Sequence, residues 1–109
     1  MREARRVRRT GVFGGTFDPI HFGHLRLAET AREALGLDEV VFVPVGDPVH
    51  RDDTPAAGRE ERYRMCVLAT ESNPAFRVSR VETDCAEPAY TVNTLAVLQR
   101  ELGGSTVFL

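Results

Sequence analysis

Gly14-Gly15-Thr16-Phe17-Asp18-Pro19-Ile20-His21-Phe22-Gly23-His24 joins a short apolar segment, Thr10 to Phe13, to a run with helical spacing. In that run, Phe22 to Leu35, the apolar residues Leu25, Ala28, Ala31 and Leu35 recur every three or four positions, and Gly36 predicts its left-handed C-terminal cap. A glycine pair at a strand-to-helix junction exposes backbone N–H groups that no Cβ shields, so an anion approaches them closely. Pro19 fixes its own φ and biases Asp18 toward extended backbone. His21 falls just before the helix and His24 in its first turn, where free N–H groups and the helix dipole favour an anion by about 0.3–1 kcal/mol. Open backbone, helix start and imidazole donors together predict a cradle for a polyphosphate. The G-x-G-x-x-G dinucleotide fingerprint is absent. A zinc site on His21-x-x-His24 lacks companions, since His50, Cys66 and Cys85 are remote in sequence.

Outward from that junction the chain alternates strand-like and helix-like segments. Glu39-Val40-Val41-Phe42-Val43-Pro44 is nearly continuously apolar, the pattern of a strand buried on both faces of a parallel sheet. The segment from Val45 to Gly58 is rich in Pro, Gly and Asp and long for a connection, a length that usually accompanies function or mobility. A second helix is predicted from Arg59 to Ser72, with Tyr63, Cys66, Val67 and Thr70 on one face and Asn73-Pro74 stopping it. Arg62 and Arg64 on this helix are expected to be surface charges paired with neighbouring glutamates. Phe76 to Val81 alternates as a strand. Thr91 caps a third predicted helix with Leu95, Leu98 and Leu102 on one face, Gly103-Gly104 ends it, and Thr106 to Leu109 begins a further strand. This order predicts an α/β fold with a parallel sheet, its ligand site beyond the carboxyl ends of the strands where strand order reverses. A bare apolar strand at the end of a chain invites aggregation, so the sequence is expected to be part of a longer protein.

The bulk properties bound the function class. The 109 residues fit one domain, taken as residues 10–109 after a basic extension at 1–9, and 42% of them are hydrophobic, ordinary for a globular chain. No apolar run approaches the roughly 18–20 residues of a membrane span. Met1 to Arg9 is basic but no apolar core follows it, which argues against a secretory signal. With a net charge of −2 and no second basic cluster, a nucleic-acid partner is not expected. All 14 Lys+Arg residues are Arg, so any cationic phosphate contact comes from a guanidinium. Cys66 and Cys85 lie in no CxxC pattern and read as reduced thiols, fitting a cytoplasmic protein.

The Gly14–His24 segment resembles the signature of nucleotidyltransferases of the HxGH superfamily and, within it, is most similar to the bacterial nicotinate-nucleotide adenylyltransferases. Two further segments carry the narrower likeness. Phe42-Val43-Pro44-Val45-Gly46-Asp47-Pro48-Val49-His50-Arg51 is similar to that family's strand and Pro-Pro-His-Lys loop, with Val49 and Arg51 as departures. Pro88-Ala89-Tyr90-Thr91-Val92-Asn93-Thr94-Leu95 is similar to its Tyr-Thr-x-x-Thr-Leu segment. The likeness spans about residues 10–109, and the family's two later motifs would fall beyond Leu109.

The resemblance implies a Rossmann-like nucleotidyltransferase fold, with the sheet ending here after its fourth strand, and adenylyl transfer from ATP to nicotinate mononucleotide giving deamido-NAD and pyrophosphate. It implies His21 and His24 as catalytic donors to the ATP phosphates, with Gly14, Gly15, Thr16, Phe17, Asp18 and Gly23 around the nucleotide. His50, Arg51, Tyr90 and Thr91 would bind the substrate. Mg²⁺ would ride mainly on phosphate oxygens and water, with no metal site on the protein. At the Thr91 helix start, outward donors would accept a carboxylate better than a carboxamide and so favour nicotinate over nicotinamide. Another adenylyl- or cytidylyltransferase of the superfamily, such as the pantetheine-phosphate enzyme, is the nearest alternative, though it usually has Thr where His21 stands. A catalytically incomplete nucleotide-binding fragment is another. Assembly into a homo-oligomer stays open.

Overall fold

The computed structural model describes residues 8–46, 58–83, 98–101 and 103–109. Strand β1 (Arg9–Gly15) leads to helix α1 (Phe22–Leu35), strand β2 (Glu39–Pro44), helix α2 (Arg59–Thr70), strand β3 (Phe76–Val78) and strand β4 (Ser105–Phe108). Residues 98–101 are helical. The four strands form one parallel sheet in the order β3-β2-β1-β4. The chain therefore steps outward from β1 through β2 to β3, then returns to the other side of β1. Strand order reverses at β1, so the Gly14-Gly15 end of that strand lies at the switch point expected to receive ligands.

Register places Phe13 beside Phe42 and Gly15 beside Pro44. All of β2 is buried, as its continuous apolar run predicts for a strand covered on both faces. Side chains alternate between two cores with the period of a strand. On one face, Phe13, Phe17, Val40, Phe42 and Phe76 pack with Ala28 of α1 and Cys66 of α2. On the other, Val12, Val41 and Val43 pack with Leu98. Phe42 is fully buried and sits among the rings of Phe13, Phe17 and Phe76, at centroid distances of 5.4, 5.8 and 5.1 Å.

Helix α1 ends as the sequence predicts. Gly36 adopts φ 63°, and its N–H bonds back to the Arg32 carbonyl. At the amino edge of the sheet, away from the glycine turn, the buried Glu39 carboxylate accepts hydrogen bonds from Arg8 (2.8 Å) and Arg77 (3.0 Å), tying together the approaches to β1, β2 and β3.

On α2 and β3 the structure differs from expectation at three points. Helix α2 stops at Thr70 rather than Ser72 because the Asn73 N–H bonds to the Thr70 carbonyl and the Asn73 side chain accepts from the Ala75 N–H, a local turn that outcompetes further helix. Strand β3 covers only Phe76–Val78, since the Ser79 hydroxyl accepts from the Val81 N–H and bends the chain out of the ladder. Val67, expected on the buried face of α2, is 36% exposed. The predicted Thr91 cap and most of the third helix lie outside the described residues. Among the described residues no helix is long and apolar enough to cross a membrane.

Phe42→Ala is expected to lower unfolding free energy by about 3–5 kcal/mol, the usual cost of emptying an aromatic site in a core. Urea denaturation of the two proteins checks this. A loss below about 1 kcal/mol would show that the ring cluster does not hold the sheet to its helices.

Candidate functional site

The end of β1 is fastened to the end of β2 by the Val45 N–H, which donates to the Gly15 carbonyl at 3.0 Å. Beyond Gly15 the backbone turns sharply. Phe17 lies in the left-handed region at φ 52°, and the Asp18–Pro19 peptide is cis. A bulky residue rarely occupies the left-handed region. Here the Phe17 ring is 2% exposed and meets Phe13 and His24 edge-on, at 5.4 and 5.0 Å between centroids. The aromatic core therefore seats the side chain while the backbone turns outward.

His21 is the N-cap of α1, and its extended backbone (φ −145°, ψ 178°) sets the helix entry. Its Nδ1 accepts from the Gly23 N–H at 3.1 Å, and the His24 Nδ1 accepts from the His21 N–H at 3.0 Å. The two imidazoles lie 3.9 Å apart, tilted by 32°. An Nδ1 that accepts carries no proton, so both rings are held as the neutral tautomer with the proton on Nε2. Each then offers one N–H donor, and α1 has no acidic residue in its first turn to compete with an anion.

Gly23 has a more specific reason than an open helix start. A Cβ there would lie 2.8 Å from the His21 ring, so a larger residue would push the imidazole from the position in which it caps the helix. That cap changes the donor set expected from sequence. The Gly23 N–H is taken by His21 Nδ1, while the His24 and Leu25 N–H groups bond to the His21 carbonyl at 3.0 and 3.3 Å. These three helix-start donors are spent locally, which leaves the imidazole Nε2–H groups as the donors at the helix entry.

At the site itself the sequence reading misplaces Arg62. Expected as a surface charge, it is 2% exposed. Its Nη1 donates to the carbonyls of Thr16 (2.9 Å) and Val45 (2.8 Å), and its Nη2 to that of Gly46 (3.0 Å). The signal was the spacing Arg62, Cys66, Thr70, which puts all three on the buried face of α2. Arg64 is exposed, as expected. One turn beyond Arg62, burial pushes the Cys66 thiol up to about 12, against the opposing pull of the guanidinium, and leaves it an unreactive free cysteine.

The structure thus brings Gly14, Gly15, Thr16, Phe17, Asp18, His21, Gly23 and His24 together at the carboxyl end of β1. His50, Arg51, Tyr90 and Thr91 lie outside the described residues. Among the described residues, no three His, Cys, Asp or Glu side chains gather as a metal-binding group.

With this geometry in hand, comparison with known proteins is specific. Residues 12–101 match the family described as cytidylyltransferase-like. A protein of Moorella thermoacetica named "Probable nicotinate-nucleotide adenylyltransferase" is 52% identical over 103 residues, 94% of this chain and 48% of that protein. One of the same name from Salinispora arenicola is 53% identical over 90 residues, 83% of this chain and 48% of that protein. The chain spans about half the length of the curated relatives it matches. Among solved structures, the nicotinic acid mononucleotide adenylyltransferase of Plasmodium falciparum complexed with NaAD superposes with a TM-score of 0.71 at 19% identity. That match covers 93% of this chain and 49% of the other, and it supports the fold.

His24 carries a pH signature. Burial first, and then the neighbouring His21, lowers its pKa from the ordinary histidine value. The unfolded chain therefore binds this proton more readily than the folded one, and stability rises with pH across the interval between the two values. The contribution is complete above the unfolded value of about 6.5 and is lost as pH falls through the lower folded value. An NMR titration of the ring protons is expected to give His24 a midpoint below that of histidine in an unstructured peptide. A midpoint at or above the peptide value would show that burial and the neighbouring His21 do not disfavour the charged ring.

Proposed function

The chain belongs to the cytidylyltransferase-like family, and we propose that it serves adenylyl transfer from ATP to nicotinate mononucleotide, yielding deamido-NAD and pyrophosphate. The observation that carries this reading is the pair of capped imidazoles at the strand-order switch, each left with an Nε2–H to donate. The names of the relatives at about half identity support the choice of acceptor.

In this reading an ionised phosphate oxygen of nicotinate mononucleotide attacks the α-phosphorus of ATP. The new P–O bond forms as the bond to the β-phosphate oxygen breaks, and pyrophosphate leaves with that electron pair. The nucleophile is already a base at neutral pH, so the protein's task is alignment and charge stabilisation. His21 and His24 donate to the ATP phosphates, and Gly14, Gly15, Thr16, Phe17, Asp18 and Gly23 shape the nucleotide cradle. His50 and Arg51 close on substrate phosphate, and Tyr90 and Thr91 receive the pyridine ring and its carboxylate. Charge neutralisation on the polyphosphate would come from Mg²⁺, which would be held mainly by phosphate oxygens and water. No protein ligand is assigned to it.

The test is pyrophosphate release from ATP by the protein expressed from its complete reading frame, with nicotinate mononucleotide, nicotinamide mononucleotide or phosphopantetheine as acceptor. Release with the first acceptor and little with the third is expected, and the reverse order would overturn the reading. His24→Ala is expected to lower kcat by about 10²–10³, the cost of one preorganised donor. His21→Asn preserves an N-cap residue while removing the imidazole, and is expected to lose a similar factor without losing the helix.

Thr91→Ala is expected to reduce kcat/KM for nicotinate mononucleotide by about tenfold, the worth of one hydrogen bond to a charged group, and to leave the nicotinamide nucleotide nearly unchanged. Equal losses for both acceptors would remove Thr91 from the discrimination.

A further inference from the structure

We propose that Arg62 is a positioning residue for the phosphate cradle: by holding the carbonyls of Thr16, Val45 and Gly46, its guanidinium fixes the left-handed turn at Phe17 through which the cradle opens. The proposal rests on the reading of that cradle as the nucleotide site.

Arg62 comes from the first turns of α2, where its backbone N–H bonds to the Gly58 carbonyl. Its side chain reaches across to two segments distant in sequence. Thr16 belongs to the turn after β1, and Val45 and Gly46 follow β2. A planar guanidinium presents its donors in a fixed fork, so three carbonyls gripped by one group are held at set separations from one another. Together with the Val45 to Gly15 hydrogen bond, this clamps the carboxyl ends of the two central strands.

The clamp reaches the site through one peptide plane. The Thr16–Phe17 peptide is trans, and in a trans peptide the C=O and the N–H point in opposite directions. Drawing the Thr16 carbonyl toward Arg62 therefore turns the Phe17 N–H to the side away from α2. Phe17 is also the residue at φ 52°. Such backbone persists only where its surroundings over-determine it. The Phe17 ring in the core is one anchor, and the Thr16 carbonyl on Arg62 is the other.

A packing role alone does not account for an arginine here. Burying a guanidinium carries a desolvation cost that an apolar side chain of equal length avoids. A group that returns that cost by gripping carbonyls of two separate loops specifies geometry, and the geometry it specifies is that of the cradle.

The experiment compares Arg62→Met and Arg62→Lys with the unsubstituted protein, all expressed from the complete reading frame. Two readouts are taken: amide hydrogen exchange, and the affinity for ATP with Mg²⁺ by calorimetry. For Arg62→Met, exchange is expected to accelerate from Thr16 to His24 while Val12 and Val41 in the sheet centre stay protected. ATP affinity is expected to fall by about 10- to 100-fold, the worth of one hydrogen bond to a charged group. Arg62→Lys keeps the charge and part of the grip, and is expected to fall between the two on both readouts. A variant with a lowered thermal midpoint in which either exchange at Phe17 or ATP affinity is unchanged overturns the positioning role. If Arg62→Met does not fold, Arg62→Lys decides by the same criteria. An unsubstituted protein that binds no ATP overturns the nucleotide reading instead, and the exchange at Phe17 still decides whether Arg62 sets the turn.

Discussion

Chain direction has to change within a few residues of the end of β1, and the seating of the Phe17 ring governs how. The ring enters the same aromatic core as Phe13 and Phe42, while the residue's backbone stands in the left-handed region. Burying an aromatic side chain contributes about 1.5–3 kcal/mol, comparable to the roughly 1–3 kcal/mol cost of the left-handed backbone. The hydrophobic core thus offsets much of what the turn costs, as one of its two anchors. Once it is set, His24 lies against the Phe17 ring, His21 lies over His24, and the helix begins where His21 caps it. Emptying the core near Phe42 would loosen the site as well as the sheet.

The same arrangement sets the electrostatics. Contact with the aromatic core partly withdraws His24 from water, and this burial, more than its histidine neighbour, disfavours the imidazolium. The ring is consequently a neutral donor near neutral pH, and a phosphate beside it would pull its titration upward again. Two imidazoles 3.9 Å apart would repel if both were charged. As neutral rings, each with Nδ1 occupied by a backbone N–H, they sit together without that penalty.

Much of the fold was legible because its signals are local. The unbroken apolar run of β2 announced a strand covered on both faces, and Gly36 marked the end of α1. The run of glycines and histidines between Gly14 and His24 marked the strand-to-helix junction, because such junctions follow from short-range pattern. Arg62 was misread because charge in a sequence suggests solvent, and the three carbonyls that receive it come from segments far away in the chain. Only its spacing with Cys66 and Thr70 carried a local trace of burial. The left-handed Phe17 had no local trace, because it follows from which side chains meet in space, whereas the folding of His21 onto Gly23 is a contact two residues along the chain, hidden because histidine is not among the usual N-cap residues.

The histidine tautomers also constrain the chemistry the site can host. A general base must present an unprotonated nitrogen toward the proton it takes. In both rings the unprotonated nitrogen is Nδ1, already committed to a backbone N–H, and Nε2 carries the proton. To work as a base at Nε2, either ring would have to shift its proton to Nδ1 and give up the hydrogen bond that shapes the helix start. Each ring therefore presents a donor and no acceptor at Nε2. Reactions whose nucleophile must first lose a proton, such as attack by a hydroxyl, would need a base from elsewhere. Attack by a phosphate, ionised before it arrives, asks only for donors along the polyphosphate, and that requirement matches what His21 and His24 retain after capping α1.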